Sequence, residues 1–278
     1  MRDVSFGQYY PVSSPIHRLD PRAKLLSVIF YIVTLFFIDT FTGFGIAALF
    51  LLIIVLISKV PLGKVLKSVK AVLFLLIFTF LFTFLFVKGE ADKLIWEWGI
   101  FHLYWDRLFV SVKLCIRLLL LVLGPALLTL TTTPMELTDG VESLLKPLAL
   151  IKVPVHALAI VMSIALRLIP TLMEETDKII NAQKARCADF DSGNIFKRAK
   201  AMLPVLIPLF VSSFRRADDL ADAMDSRCYR GAKGRTRMRV LKFRFTDFLM
   251  LFFMAVLLTA MLFLKFNWFG WTFIAVLV

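Results

Sequence analysis

The chain has 278 residues, of which 59% are hydrophobic, and its formal net charge is +13 at pH 7. Such an apolar composition excludes an ordinary soluble domain and indicates a polytopic membrane protein. Basic residues in a chain of this kind report first on membrane topology, so the positive charge argues against a nucleic-acid-binding protein.

A polar, proline-containing segment precedes the first apolar run. Arg18, Arg22 and Lys24 lie directly before that run, so the positive-inside rule predicts a cytosolic N-terminus. The apolar runs 25–38 and 44–57 are joined by a tight turn, which predicts a helical hairpin. The next connection has no acidic residue and is also predicted to be cytosolic because of four lysines: Lys59, Lys64, Lys67 and Lys70.

Residues 71–87 predict a third span and residues 108–130 a fourth. The fourth span contains Lys113 and Arg117 on one helical face. Because charge is costly near the bilayer centre, we expect both side chains near the outer end, extended toward the headgroups or facing a protein neighbour. The loop between the spans, 88–107, suits an outer interface with an aromatic belt: Trp96, Trp98, Tyr104 and Trp105.

After the fourth span, Thr133 is predicted to cap an amphipathic helix, 135–145, with Pro134 in its first turn. Two further apolar runs follow, 149–172 and 202–214, and the second is short and broken by two prolines. A run of that length is more typical of a buried or interfacial helix than of a span. We therefore predict that neither run spans the bilayer.

These observations predict an all-α integral membrane protein with three parts. Residues 1–130 form an N-terminal transmembrane bundle of about four spans. Residues 131–244 form a block of long helices on the cytosolic side, and residues 245–278 form a C-terminal transmembrane segment whose last span is 245–264. Residues 268–278 are too short for a full crossing, and the sequence leaves their fate open.

Two segments of the cytosolic block share one sequence pattern. In each, a predicted helix that contains proline ends in arginine followed by cysteine. The first runs from Pro170 to Arg186 and the second from Pro208 to Arg227. In the second, a stripe spaced 4, 3, 4, 3 consists of Phe210, Phe214, Ala217, Ala221 and Met224. A looser stripe in the first consists of Ile169, Met173, Thr176 and Ile180. We expect the two helices to cross and bury these stripes against each other, or each stripe to pack on the membrane bundle.

An arginine at a helix end commonly does no more than complement the helix dipole, an effect of about 0.3–1 kcal/mol. The doubling of the pattern favours a functional interpretation. An arginine fork binds carboxylates bidentately, which suits docking into an acidic pocket of a partner.

The chain resembles a known family, the transmembrane T component (EcfT/CbiQ family) of energy-coupling factor (ECF) transporters. The resemblance rests on SPIHRLDPRAK at 14–24, LRLIP at 166–170, AQKARC at 182–187 and AMDSRCYRG at 223–231. In that family, two Ala-Arg-Gly-type signatures at the ends of coupling helices dock into grooves of two ATP-binding subunits. Matched onto this sequence, the ATPase-binding residues are Ala185, Arg186, Cys187, Ser226, Arg227 and Cys228.

This chain departs from the family signatures, because Cys187 and Cys228 occupy the glycine place and Ser226 the alanine place. Cysteine lacks the freedom of glycine at positive φ, which argues against a tight left-handed turn at either helix end. We expect two free thiols that are buried at an interface, with a redox role for the pair as the alternative. Cys115 is expected to be free as well.

The resemblance implies a non-catalytic coupling subunit of an ECF-type ABC importer in a prokaryotic plasma membrane. It would transmit the motion of two ATPase subunits to a small substrate-binding membrane S component for uptake of a vitamin or micronutrient. Candidate surfaces for the S component are the apolar faces of 135–145, 149–172 and 202–214, although lipid contact gives the same pattern. Since the chain has no phosphate-binding glycine loop, ATP and Mg would be bound by the partners, and no cofactor is expected in this chain.

The alternative function is an integral-membrane enzyme that acts on a lipid or small molecule. Such an enzyme needs polar residues clustered within the spans, and apart from Lys113 and Arg117 the spans contain almost none. The three histidines are scattered over three regions, which argues against a metal site or a histidine-activated nucleophile. No catalytic residue is therefore predicted.

Overall fold

The structure is a computed structural model that describes residues 9–86, 94–98, 101–152, 154–188, 190, 194–231 and 241–266. Within these residues the chain forms eight α-helices and one β-hairpin. The helices are α1 Pro21–Phe37, α2 Phe41–Ser58, α3 Leu62–Phe86, α4 Trp105–Thr131, α5 Pro134–Leu145, α6 Val155–Ala185, α7 Ile195–Ser226 and α8 Phe245–Phe266. The chain divides into two units, one of Gly7–Ser143 with Leu241–Val278 and one of Met1–Phe6 with Leu144–Val240.

The predicted all-α membrane class is confirmed. Among the described residues, α2, α4, α6 and α8 are each long and apolar enough to cross a bilayer. A fifth candidate is α3, whose halves Leu62–Lys70 and Val72–Leu85 are inclined at 55°. The prediction that α6 lies on the cytosolic side is not decided by its length and composition, which also suit a span.

The unit that contains the N-terminal bundle is built around α1 and α4. Helix α1 packs against α4 and α8, and α4 packs in addition against α2 and α3. Leu35 and Phe44 are almost fully buried in this core, whereas Phe74, Phe78 and Phe82 form an exposed row on α3. An apolar outer surface of this kind suits contact with lipid tails.

The predicted outer loop contains a short antiparallel hairpin, β1 Leu94–Trp98 and β2 Phe101–Tyr104. Glu97 pairs with His102 in its register. A run of aromatic and branched residues is typical of strands, and this signal was available in the sequence. The side chains of the predicted aromatic belt lie outside the described residues, as do residues 268–278.

The two basic side chains of α4 contact other residues of the chain, as one of the two expectations stated. Arg117 donates to the backbone carbonyl of Ile38 and to the carboxylate of Asp39, the latter at 3.1 Å. Lys113 lies over the ring of Phe41, with its Nζ 4.7 Å from the centroid. Both side chains therefore contact the turn between α1 and α2 rather than only extending toward headgroups.

Asp39 in this turn also forms an ion pair with Lys265 of α8 at 3.1 Å. Partial burial tends to raise the pKa of Asp39, but hydrogen bonds to Lys265 and Arg117 and their positive charges outweigh this and lower the pKa. The turn thus links α1, α2, α4 and α8 at one end of the bundle.

Helix α5 begins as predicted. It starts at Pro134, and the N–H of Glu136 donates to the Thr133 hydroxyl at 3.3 Å, so Thr133 is confirmed as the capping residue. Gly140 then lies close to α1, because a Cβ there would be 3.2 Å from Cβ of Pro21 and 3.1 Å from Leu25. Helix α5 is therefore packed tightly against the first turns of α1.

The other unit consists mainly of two long helices that pack against each other, α6 with 31 residues and α7 with 32. The apolar run 202–214 is part of α7, which continues through Pro204 and Pro208. A short 3₁₀ helix, Lys146–Ile151, precedes α6. Both predicted arginine segments are thus the C-terminal parts of these two helices.

Candidate functional site

Helix α6 ends in a left-handed turn centred on Cys187, which has φ of 62°. The N–H of Cys187 donates to the carbonyl of Lys184 at 3.0 Å, and the N–H of Ala188 donates to the carbonyl of Gln183 at 3.0 Å. This pair of hydrogen bonds is a Schellman motif, which satisfies carbonyls that would otherwise lack partners at the helix end. Arg186, the last residue before the left-handed position, is held in the capping turn.

Helix α7 ends in the same way. Cys228 has φ of 55°, and its N–H donates to the carbonyl of Asp225 at 2.9 Å. The N–H of Tyr229 donates to the carbonyl of Met224 at 3.1 Å. Arg227 therefore occupies the same position in its turn as Arg186 does in the first, so the likeness of the two sequences is also a likeness in backbone structure.

The expectation that cysteine argues against a left-handed helix end is wrong, because Cys187 and Cys228 both have positive φ. A non-glycine residue in this conformation costs about 1–2 kcal/mol, because Cβ approaches the following carbonyl oxygen. The two hydrogen bonds of each Schellman motif offset that cost, and cysteine is not branched at Cβ. Cys187 and Cys228 thus adopt a left-handed conformation that glycine adopts most readily.

All six predicted site residues are exposed: Ala185, Arg186, Cys187, Ser226, Arg227 and Cys228. The three cysteines are free, as predicted. The thiols of Cys187 and Cys228 are not buried in this chain, so their burial at an interface stays a prediction for an assembled complex. The structure gives each helix a protruding basic end, and a planar guanidinium there is available to a carboxylate partner.

A polar contact joins the two helices well before their ends. Glu175 of α6 accepts a hydrogen bond from the Ser212 hydroxyl at 2.6 Å and one from the guanidinium of Arg216 at 2.9 Å. Both donors lie on α7, so each carboxylate oxygen of Glu175 is used. Charge-assisted hydrogen bonds of this type are stronger than neutral ones and restrict the side chains geometrically.

The predicted crossing of apolar stripes is wrong for α7. Phe210 and Phe214 are 61% and 70% exposed, and Ala217 and Ala221 are exposed as well. The residues that meet α6 include Ser212 and Arg216 of the polar faces instead. A signal for this contact existed in the sequence, since residues of opposite charge, Glu175 and Arg216, each stand eleven positions before the arginine at the end of their helix.

The model of a family described as "Cobalt transport protein" matches residues 12–238, which include both arginine motifs. The chain belongs to this family. Three similar proteins are each named energy-coupling factor transporter transmembrane protein EcfT. Those from Ruminiclostridium cellulolyticum, Clostridium kluyveri and Acidaminococcus fermentans are 47%, 49% and 48% identical to this chain.

These similarities extend over nearly the whole length of both partners in each comparison. They cover 97%, 90% and 95% of this chain and 100%, 92% and 98% of the respective relatives. The family therefore includes the apolar helices as well as the helix ends. As a member, the chain is a multi-pass membrane component of an energy-coupling factor transporter. Among the described residues, no group of three or more His, Cys, Asp or Glu side chains is placed to hold a metal ion.

Proposed function

We propose that the chain is the coupling subunit of an ECF-type ABC importer. It would transmit ATP-driven motion of two ATPase subunits to a separate substrate-binding S component that takes up a vitamin or micronutrient. The observation that carries this proposal is the equivalence of the two helix ends. Arg186 and Arg227 occupy the same position in two Schellman turns, and both are exposed.

Two equivalent arginines suit a partner that presents two equivalent pockets. Each guanidinium has a fork of N–H donors that fits a carboxylate, and the capping turn restricts the backbone that holds it. A pair of similar ATPase subunits offers such pockets twice. ATP and Mg would be bound by these subunits, and the present chain would supply neither cofactor ligands nor catalytic groups.

The contact at Glu175 would carry motion from one helix to the other. If an ATPase subunit displaces one helix end, the hydrogen bonds to Ser212 and Arg216 oppose the sliding of α6 past α7. Both helices would then move together, and the displacement would reach the S component.

The S component would contact the exposed apolar side chains of α6 and α7. Ile207, Phe210 and Phe214 of α7 are each 60% or more exposed, and Val161 of α6 is 62% exposed. Large apolar patches of this kind mark surfaces that a partner or lipid covers. By the positive-inside rule, the basic connections support an N-terminus in the cytosol of a prokaryotic cell, which is the side on which ATP is available.

The proposal is tested by purifying the tagged full chain in mild detergent from its native cells and identifying the proteins that remain bound. We expect two ATP-binding subunits and a small hydrophobic membrane protein. Purification of the chain alone, together with activity on a lipid or small molecule, would contradict the proposal and support the membrane-enzyme alternative.

A further inference from the structure

The segment SPIHRLDPRAK at 14–24 is not explained by docking of the two arginines, yet it contains the most buried charges of the N-terminal region. Asp20 and Lys24 are 7% and 3% exposed. Charged groups are rarely buried to this extent unless they are paired or fully hydrogen-bonded. Their partners show which parts of the fold this segment joins.

Asp20 lies at the start of α1 and contacts the start of α8. The carboxylate of Asp247, which is fully buried, accepts the N–H of Asp20 at 2.9 Å with one oxygen and the N–H of Arg244 at 2.6 Å with the other. The Asp20 carboxylate in turn accepts the N–H of Arg22 at 2.9 Å. Both carboxylates thus satisfy N–H groups at helix N-termini, where negative charge is favoured.

Lys24 contacts the C-terminal end of α4. Its Nζ donates to the carbonyl of Thr131, the last residue of α4, at 3.0 Å and to the carbonyl of His17 at 3.1 Å. The N–H of Tyr10 donates to the neighbouring carbonyl of Leu130 at 2.9 Å. An ammonium group at a helix C-terminus is favoured by the dipole and satisfies a carbonyl that has no partner within the helix.

These contacts join residues that are far apart in sequence. Two of the residues, Thr131 and Arg244, lie where the long helices connect to the rest of the chain. Thr131 is the residue at which the chain leaves α4 toward α5, α6 and α7, and Arg244 is the residue from which it enters α8. A displacement of α6 and α7 that travels along the chain reaches α4 through α5 and Thr131, and it reaches α8 through Arg244. The segment from Tyr10 to Lys24 contacts Thr131 directly through Lys24, and it contacts Arg244 indirectly, because Asp247 accepts the N–H groups of both Asp20 and Arg244.

We propose that this segment is the anchor of the coupling helices. The positioning residues are Asp247 and Lys24, which hold Arg244 and Thr131 in place in every nucleotide state; these two residues are called the chain crossings. The proposal rests on the proposed coupling function and extends it. While α6 and α7 move under ATP, Thr131 stays bound to the N-terminal segment, and Arg244 stays linked to it through Asp247. A displacement of the helix ends is therefore passed on to the partner instead of being lost by slippage at the crossings.

The test uses the full complex of this chain with its ATPase subunits, with ADP or with ATP and Mg as the probe. Amide hydrogen exchange is localised to Tyr10, Asp20 and Arg244, whose N–H groups report on the two crossings. In the wild type we expect exchange in α6 and α7 to depend on the nucleotide and exchange at these three amides to be slow and equal in both states. A nucleotide-dependent change at the three amides would overturn the proposal.

Two variants distinguish an anchoring role of these contacts from simple capping of the helix ends. Asp247→Asn keeps the shape but places an amide donor against an N–H donor, and Lys24→Met removes the ammonium at equal length. We expect exchange to rise about tenfold or more, at whichever of Asp20 and Arg244 faces the new amide donor in the first variant and at Tyr10 in the second, and to rise further with ATP than with ADP. An equal rise in both states would indicate simple capping and overturn the anchor.

Matched controls are Lys67→Met on the exposed face of α3 and Asp39→Asn at the opposite turn, and both should exchange like the wild type at the three amides. If either anchor variant fails to assemble, the two-state comparison of the wild type still decides the proposal. Absence of ATPase subunits from the wild-type complex would be a failure of the proposed function and would overturn the anchor with it. If only the anchor proposal is wrong, the ATPase subunits are still recovered with the chain.

Discussion

Arg216 of α7 donates to the carboxylate of Glu175 on α6 at 2.9 Å, and each residue lies eleven positions before the arginine at its own helix end. With the rise of an α-helix, both arginines are about 16 Å along the axis from this contact. Two arms of equal length move their ends by equal amounts when the helices turn about the contact. The pair therefore suits a device in which two docked ATPase subunits act in step.

Breaking this pair should weaken the link between the helices without removing either helix end. The Arg216 and Glu175 side chains are 37% and 25% exposed, so solvent screening keeps the contribution of the pair to stability small. We expect Glu175→Gln and Arg216→Met to retain the ATPase subunits but to lower ATP-dependent uptake. Glu174→Gln, an exposed neighbour, is the control.

A double-mutant cycle on thermal unfolding and on uptake measures this coupling directly. The two substitutions together should cost less than the sum of the single ones, because each removes the same contact. Strictly additive effects would show that Glu175 and Arg216 act separately.

Glycine at the two left-handed positions should stabilise the helix ends. Cys187→Gly and Cys228→Gly each remove the steric cost of Cβ at φ near 60°, so we expect a gain of up to about 1 kcal/mol per site. Cys187→Val should have the opposite effect, since a β-branched residue is a severe outlier there. Thermal unfolding of the full chain and its retention of ATPase subunits are the measurements. A loss of stability in both glycine variants would contradict the assignment of a Schellman turn.

The sequence predicted features that depend on composition and local pattern. The spans α2, α4 and α8 follow from apolar length, the cap at Thr133 from local hydrogen bonding, and the paired helix ends from the repeated arginine motif. The predicted span 25–38 is not among the described helices that are long enough to cross, since α1 has 17 residues. The contact of Arg117 with Asp39 and the contact of Glu175 with Arg216 depend on tertiary packing, which periodicity does not determine. The positive φ of Cys187 and Cys228 does not follow from the conformational preference of cysteine alone, because the hydrogen bonds of the Schellman motif offset its cost.

The loop before α1 should lose stability in mild acid. The His17 ring lies between the Ser14 hydroxyl, 2.7 Å from Nδ1, and the Tyr10 carbonyl, 3.1 Å from Nε2. Burial lowers the pKa of His17 below its usual 6.5, and the charge of Lys24 adds to this, while the Tyr10 carbonyl and Glu136 oppose it. The neutral ring, with its proton on Nε2, donates to Tyr10 and accepts from Ser14.

Because the pKa is lowered in the folded state, the unfolded chain binds more protons below pH 6.5, and stability falls as the pH drops through the folded pKa. His17→Gln keeps a donor and an acceptor but cannot titrate. We expect the difference in unfolding temperature between neutral and mildly acidic buffer to be smaller in this variant than in the wild type. An equal difference would show that His17 does not contribute to the acid sensitivity.

Close packing of α4 on α1 predicts a strong effect at Gly124. A Cβ there would lie 2.8 and 2.9 Å from two carbons of the Tyr31 ring, which is only 3% exposed. We expect Gly124→Ala to destabilise the chain by about 1–3 kcal/mol through overpacking. Gly45→Ala is the matched control, because no atom lies within 4 Å of the added Cβ and alanine favours a helix. Similar unfolding temperatures for the two variants would contradict the packing described here.

The measurement that tests the central claim most directly is the retention of ATP-binding subunits by Arg186→Ala with Arg227→Ala. Arg167→Ala with Arg215→Ala, which removes one exposed arginine from each helix elsewhere, is the control. Since a hydrogen bond to a charged group contributes about 1.5–3 kcal/mol, loss of two docked arginines should weaken binding by about a hundredfold or more. The account predicts this loss in the first double variant alone. Wild-type retention of the subunits and unchanged uptake in that variant would contradict it.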